Sequence, residues 1–297
     1  MFDPRSLRTY LMVCRHSSIS AAARKLNISQ PAVSVTIAQL EDALGSKLFE
    51  RSRSGITLTP AGAVLMRRAE SMEALLRDAA DEVALAKEGI GGPLRIGGTP
   101  GALVSLIPDA VNRMAASNEQ FALHVIERPD EVLIDLLRKG QIEIAVVTTG
   151  ISALPADIEE RSLARDPFDL IVGKLNSKLP KKLSLAATRD LLWVLPEAEG
   201  AFRRQVDAMF ISAGIQTPRN AIRCDSLLTT KAIVRDGRYV TILPRRVAAA
   251  ELSLGILRAI RLKEATINRD VGIRTLKGHR LSEWAQRLVE ALLPVRA

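Results

Sequence analysis

The sequence predicts a mainly α amino-terminal part, one long helix and a larger α/β body. Three observations carry that prediction: two short helical patterns joined by a tight turn within residues 18–44, an unbroken heptad repeat over 65–86, and strand-like runs alternating with amphipathic helices from residue 94 onward. The length of 297 residues suggests two or more domains. A hydrophobic content of 47% with 25% charged residues belongs to a folded globular chain and excludes a disordered one. No apolar run is long enough to span a membrane, and Arg15 interrupts the short run Tyr10–Cys14, which argues against a signal peptide. A cytoplasmic protein without membrane contact is therefore expected.

Pro4–His16 reads as a helix with Leu7, Tyr10, Leu11 and Cys14 on its inner side, Cys14 serving as a small buried residue. Ser18 or Ser20 can cap the next helix, whose Ala21, Ala22 and Ala23 allow close packing, and Asn27 tolerates the left-handed conformation that ends it. Ser29 then caps a second helix, with Pro31 in its first turn, where a missing N–H costs nothing. Val33, Ile37, Leu40 and Leu44 form the buried stripe of this helix. Its other face carries Gln30, Ser34, Thr36 and Gln39, side chains of a length that reaches base edges in a major groove. This is a helix-turn-helix, and double-stranded DNA is the expected partner.

Lys47–Arg51 and Ile56–Leu58 are extended pieces around the polar turn Ser52–Gly55, which predicts a β-hairpin, the wing of a winged helix. Arg51 and Arg53 are poised for phosphates or a minor groove. For Arg53, at the tip, this reading is favoured over a solvated surface charge, whereas Arg51 has the alternative of bracing the wing. Thr59 caps a long helix beginning at Pro60. Leu65, Ala69, Met72, Leu76, Ala79, Val83 and Ala86 repeat along it in alternating four- and three-residue steps. Such a single stripe needs a partner. A second copy is favoured over the protein's own body, because a dimer also sets two reading helices on one duplex face. Gly89–Pro93 is a hinge by composition.

The net charge of +9 and pI near 9.9 favour a polyanionic partner. Residues 1–59 hold eight Lys or Arg against four Asp or Glu, yet the part after residue 89 is basic too, at +7. Strands are expected at Leu94–Gly97, Leu123–Glu127, Ile142–Val147, Asp169–Val172, Leu192–Leu195, Ala221–Asp225, Val240–Leu243, Leu257–Arg261 and Val271–Arg274, with helices such as Ser105–Ala115, Glu131–Leu137, Arg203–Ala213, Leu227–Val234, Val247–Leu252 and Ser282–Leu292 between them. This is an open α/β sheet with right-handed crossovers, in which ligands sit at the carboxyl ends of strands near helix amino termini. Cys14 and Cys224 lie far apart, and His16, His124 and His279 are scattered, so neither a disulfide nor a metal site is expected, and no cofactor. Gly92–Thr99 has a phosphate-loop spacing but Gly98 in place of the lysine, and there is no Gly-x-Ser-x-Gly elbow, so an enzyme is not expected. A peroxide switch through a disulfide within the body is disfavoured, since that part holds only Cys224.

These motifs resemble those of LysR-type transcriptional regulators. The likeness is carried by Ala22–Leu26, Ser29–Ser34, Leu40–Gly45, Leu48–Arg51 and Leu58–Gly62, and more loosely by Gly92–Gly97, Gly140–Ala145 and Val234–Pro244. It implies a winged helix-turn-helix at 1–59, a linker coiled coil at 60–89, and an effector domain at 90–297 resembling type 2 periplasmic binding proteins. The two α/β lobes of that domain would be lobe I at 93–163 and 268–297, and lobe II at 164–267. It further implies a homodimer through the linker, a homotetramer through the effector domains, and an unidentified small-molecule effector in the interlobe cleft.

Thr99 and Pro100 follow the first strand, and Thr99 is expected to contact the effector, with a plain helix cap as the alternative. Thr148 and Thr149 end another lobe I strand, and Phe202 and Arg203 begin a lobe II helix in a contact region of the family. Arg128 and Arg203 read first as solvated charges; an inward-pointing one would favour an anionic metabolite, a carboxylate or phosphate. Three positions depart from the family's habit: Val35 where a polar residue is common, Gly237-Arg238-Tyr239 where Gly-x-Gly is usual, and Arg128 in place of a small residue.

Overall fold

The computed structural model describes residues 3–52, 55–117, 119–151, 153–198, 200–263 and 268–293. The chain forms two compact units, residues 1–89 with 135–142, and residues 90–134 with 143–297.

The amino-terminal head is built from α1 (Pro4–His16), α2 (Ile19–Leu26), α3 (Gln30–Leu44), the hairpin β1 (Phe49–Ser52) and β2 (Gly55–Leu58), and the start of α4 (Pro60–Lys87). Local chemistry sets each boundary. Ser18 Oγ accepts from Ala21 N at 3.3 Å, Asn27 ends α2 at φ 55°, and Ser29 Oγ accepts from Ala32 N at 3.3 Å. Thr59 Oγ1 accepts from Gly62 N at 2.9 Å and donates to Lys47 O at 2.7 Å, tying the cap of α4 to the segment entering β1. Leu7, Tyr10, Leu11, Val33, Ile37, Leu40 and Leu48 fill the core. Cys14 lies at its edge, half-buried, where burial pushes its thiol up to about 11, so it is inert at neutral pH.

Two expectations for the head need correction. Leu44 is 37% exposed, because the last turn of α3 runs past the core. The heptad stripe of α4 is divided: Leu65, Ala69 and Met72 pack into the head's own core, whereas Leu76 and Val83 are 63% and 60% exposed. The beginning of the stripe therefore needs no second copy.

Glu41 on α3 is a buried carboxylate that holds the approach to the wing. Its oxygens accept from Lys47 Nζ at 2.6 Å and Leu48 N at 2.9 Å. Burial alone would raise its pKa, but these bonds hold it below the ordinary 4.5. A depressed carboxylate stabilises the head above its unfolded pKa, and that contribution is lost as the pH falls through the lower folded value. Glu41→Gln is expected to cost about 1–3 kcal/mol at pH 7 and to flatten the acid limb of the stability curve below about pH 4.5. Urea unfolding between pH 3 and 7 checks both, and an acid limb as steep as in the parent would remove Glu41 from the account.

The second unit is α/β. In chain order it contains β3 (Gly91–Gly98), α5 (Pro100–Ala115), β4 (Phe121–Glu127), α6 (Asp130–Arg138, which ends in the first unit), β5 (Ile144–Thr149), β6 (Ile158–Val172), β7 (Lys182–Leu183), β8 (Leu192–Leu195), α7 (Ala201–Ser212), β9 (Ala221–Arg223), α8 (Leu227–Asp236), β10 (Tyr239–Pro244), α9 (Ala249–Ser253), β11 (Arg258–Leu262), β12 (Asn268–Leu276) and α10 (Glu283–Leu292). The strands run in the order β4-β3-β5-β12-β6-β10-β8-β9, with β11 also on β6. One lobe is built around β3, which pairs in parallel with β4 and β5, and the other around β8, parallel to β9 and β10. The two crossover strands β6 and β12 are antiparallel to each other, so the sheet is mixed.

The long strand β6 joins the lobes. Residues 158–167 pair with β12, and residues 168–172 pair with β10 and β11. Only Asp169–Val172 is legible in the sequence as a strand, because the earlier part alternates weakly and carries the exposed charges Glu159, Arg161 and Arg165. Each lobe has its own core, one around Leu94, Ile96, Leu106 and Leu288, the other around Phe168, Trp193, Phe210 and Ile260.

Candidate functional site

The polar face of α3 stands free on the head. Ser29, Gln30, Pro31 and Gln39 are exposed, and Val35 is 54% exposed among them. Gln30 Oε1 accepts from Ser20 Oγ at 3.0 Å, which ties the start of α3 to α2 and aims its side chain. Ser34 and Thr36 are half-buried, and Thr36 Oγ1 donates to Ala32 O at 2.9 Å, so that proton is committed to its own helix. Gln30 with Ser34 and Val35 with Gln39 are neighbours at i,i+4 spacing. Arg51 lies in β1 opposite Ile56. The side chain of Arg51 and the whole of Arg53 lie outside the described residues.

In the second unit a cavity of about 330 Å³ opens between the two lobes. Thr99, Pro100, Arg128, Thr148, Phe202 and Arg203 all line it. Thr149 does not: successive strand residues face opposite sides, and its Oγ1 instead lies 2.6 Å from Ser162 Oγ. Thr99 has N-cap backbone angles but makes no side-chain cap bond, so its hydroxyl remains available to the cleft. The first turns of α5, α6, α7 and α8 reach the wall through Gly101, Glu131, Ala201 and Leu227. Four helix amino termini, each with a partial positive charge, thus converge on one cavity. Tyr239 packs instead against the lobe II cluster of Ile171, Val234 and Leu243.

The charged groups of the wall are mostly engaged. Arg203 donates to Glu197 O and pairs with Asp207 at 3.6 Å, and Asp225 accepts from the amides of Glu197 and Ala198 at 2.9 Å. Asp130 is held by the buried Arg274 at 2.8 Å, which also binds Glu160 at 2.7 Å. Burial would lower the Arg274 pKa, but these two carboxylates more than offset it. Arg128 donates to Glu127 O at 2.7 Å and is exposed at the mouth.

Sequence reading missed Arg269, which lies at the floor of the cleft only 3% exposed. Its Nε donates to Thr148 Oγ1 at 3.0 Å, its Nη1 lies 3.3 Å from Asp166 Oδ2, and burial pushes its pKa down to about 10. The polar triplet Asn268-Arg269-Asp270 gives no strand signal, so nothing local marks it as an inner residue. Among the described residues no cluster of His, Cys, Asp or Glu is placed to hold a metal, and no helix is long and apolar enough to cross a membrane.

Comparison with known proteins accords with this architecture. The family model for the LysR substrate binding domain matches residues 87–297, and that for bacterial regulatory helix-turn-helix proteins of the lysR family matches residues 4–63. The HTH-type transcriptional regulator PcaQ of Agrobacterium fabrum is 27% identical over 272 residues, 91% of this chain and 87% of that protein. GbpR of Azospirillum brasilense is 26% identical over 290 residues, 97% and 85% of the two chains. Among solved structures, full-length CbnR complexed with its target DNA superposes with a TM-score of 0.66 at 22% identity, covering 98% of this chain and 99% of that one. Full-length LysG of Corynebacterium glutamicum with bound effector Arg gives 0.64 at 24% identity, covering 98% and 96%. The chain belongs to the LysR family of DNA-binding transcriptional regulators, an amino-terminal helix-turn-helix joined to a two-lobed α/β effector-binding domain.

Proposed function

We propose that this regulator reads a specific operator through Ser29, Gln30, Pro31, Ser34, Thr36 and Gln39 of α3, steadied on phosphates by Arg51 and Arg53. It acts in the cytoplasm as a dimer joined through the exposed part of α4, with two dimers pairing as a tetramer. Residues 1–59, 60–89 and 90–297 are its DNA-binding, linker and effector parts. A small anionic molecule in the interlobe cleft, contacted by Thr99, Pro100, Thr148, Phe202, Arg128 and Arg203, changes the angle between the lobes and thereby the DNA complex. The effector shifts that balance only by its differential affinity for the two arrangements.

The observation that carries this reading is the cavity itself. It lies where β6 and β12 cross from lobe to lobe, so a ligand filling it touches both lobes at once. A regulator of the same fold holds arginine as its effector. The test is a footprint of the full chain on the DNA flanking its own gene, repeated with metabolites that raise its melting temperature. A footprint that never changes with any stabilising metabolite would leave an architectural protein rather than a sensor.

The DNA-reading roles separate by their signatures. Gln30→Ala and Ser34→Ala are expected to loosen base preference by about 1–3 kcal/mol at the contacted position. Arg53→Ala is expected to weaken binding to all sequences and to lower the salt slope by about one unit. Competition binding over a salt series reads both, and an unchanged base preference would take Gln30 and Ser34 off the reading surface.

A further inference from the structure

We infer that Arg269 is the anion anchor of the interlobe cleft: its guanidinium, set against the first turn of α5, receives the carboxylate of a small organic acid with a compact apolar body. The inference rests on the cleft being the effector site and names the chemistry that site takes.

Arg269 carries a charge that the protein leaves incompletely matched. Asp166 is its ion partner, through a single contact of 3.3 Å. The same carboxylate also accepts from Arg246 N at 2.9 Å and Ser105 Oγ at 2.6 Å, so its attention is divided among three donors. Arg269 Nε is held by Thr148 Oγ1, and among the described residues Nη2 makes no hydrogen bond. Burial lowers the guanidinium's pKa only to about 10, so it remains a cation at neutral pH.

Its surroundings add positive potential. A Cβ placed on Gly101 would come within 3.1 Å of Arg269 Nη2, so the absent side chain there is what admits the guanidinium to the first turn of α5. That turn contains no acidic residue and no side-chain cap. A cation facing a helix amino terminus is repelled by it unless an anion stands between them. A buried ion pair kept only for packing can be replaced as a whole by apolar residues with little loss of stability. The arrangement has a use if an oxyanion completes it, accepting from Nη2 and from the Gly101 amide, since Pro100 has no N–H and the Ala102 and Leu103 amides both donate to Thr99 O. Leu195, Phe202, Leu227, Leu243 and Val247 supply an apolar wall for the rest of the ligand. Arg203 is already engaged by Glu197 and Asp207, and Arg128 stands in solvent at the mouth.

The test compares a matched pair of probes, cyclohexanecarboxylate and cyclohexanecarboxamide, titrated calorimetrically into the full chain at constant ionic strength. The acid is expected to bind about 10- to 100-fold more tightly than the amide. Arg269→Gln should bring the two within about threefold by weakening the acid alone, and Arg269→Lys should restore part of the preference. Asp166→Asn should tighten the acid by about tenfold and leave the amide unchanged, because it removes the competing carboxylate. A purely structural role for Arg269 predicts no such gain, and this variant with Arg269→Lys decides the matter if Arg269→Gln fails to fold. Arg165→Gln, an exposed crossover cation paired with Asp270, serves as the control for general loss of charge. An acid preference that survives Arg269→Gln, or one abolished by Arg128→Ala instead, overturns the assignment. Equal binding of both probes to the parent protein overturns the anchor alone, whereas binding of neither overturns the reading of the cleft on which it rests.

Discussion

Gly62→Ala is expected to unfold the DNA-binding head while leaving the effector domain folded. A Cβ on Gly62 would lie 2.1 Å from Leu48 O and 3.0 Å from Leu58 Cδ2. The first neighbour is backbone and cannot swing aside by a change of rotamer. Leu48 O is also the acceptor for Thr59 N at 3.1 Å, and Gly62 O accepts from Tyr10 OH at 2.7 Å. The methyl group therefore forces α4 away from the segment entering β1 and strains the Thr59 cap, the Tyr10 bond and the packing of Ala69 together. Overpacking that displaces backbone and breaks buried hydrogen bonds costs about 3 kcal/mol or more, a large share of the stability of a head this small. Two-probe unfolding should show the head's transition lost or moved below 25 °C with the effector domain's retained, and operator binding should vanish. Gly45→Ala is the steric contrast: its φ is +62° with open space around the new Cβ, so only the conformational penalty of about 1 kcal/mol applies. Equal effects of the two substitutions would show that close approach at Gly62 is not what holds the head.

What was legible in the sequence was the chemistry that acts over a few residues. Ser18, Ser29 and Thr59 mark helix starts because a cap bond is local, and Val33, Ile37 and Leu40 declare a buried face by spacing alone. What was not legible depends on neighbours far along the chain. The first ten residues of β6 are strand because β12 pairs with them, and their polar outer face hides that from any periodicity. Thr148 and Thr149 look alike in sequence, and only the register of β5 against β12 turns one to the cleft and the other to Ser162. Arg269 is the extreme case. Its burial is created by Thr148, Asp166 and Gly101, respectively 121, 103 and 168 positions away by numbering, and its own neighbours in sequence are polar.

The stripe on α4 shows how a correct pattern can still mislead about what covers it. Heptad spacing reports that a helix face is apolar, not whose residues lie on it. Leu65, Ala69 and Met72 are used by the head's own core, and the stripe continues into Leu76, Ala79, Val83 and Ala86, all exposed in the isolated chain. A charge at the two ends should therefore act on different equilibria. Leu76→Glu removes nothing from the core of the head, so its unfolding free energy should stay within about 0.5 kcal/mol of the parent. Placing the same carboxylate in a closed helix–helix seam leaves an unpaired buried charge on each copy, a penalty of several kcal/mol that dissociates the pair. Sedimentation at micromolar concentration should show the tetramer replaced by a dimer held through the effector domains, or by monomer where that second contact is weak. Affinity for a two-half-site operator should fall by about 10²- to 10⁴-fold, since the second head no longer binds at the effective concentration set by the first. Affinity for a single half-site should barely change. Ala69→Glu should do the reverse, unfolding the head because Ala69 is fully buried there. A Leu76→Glu protein that sediments and binds both half-sites like the parent would mean that the copies meet through another surface, and that the exposed end of the α4 stripe is not the seam.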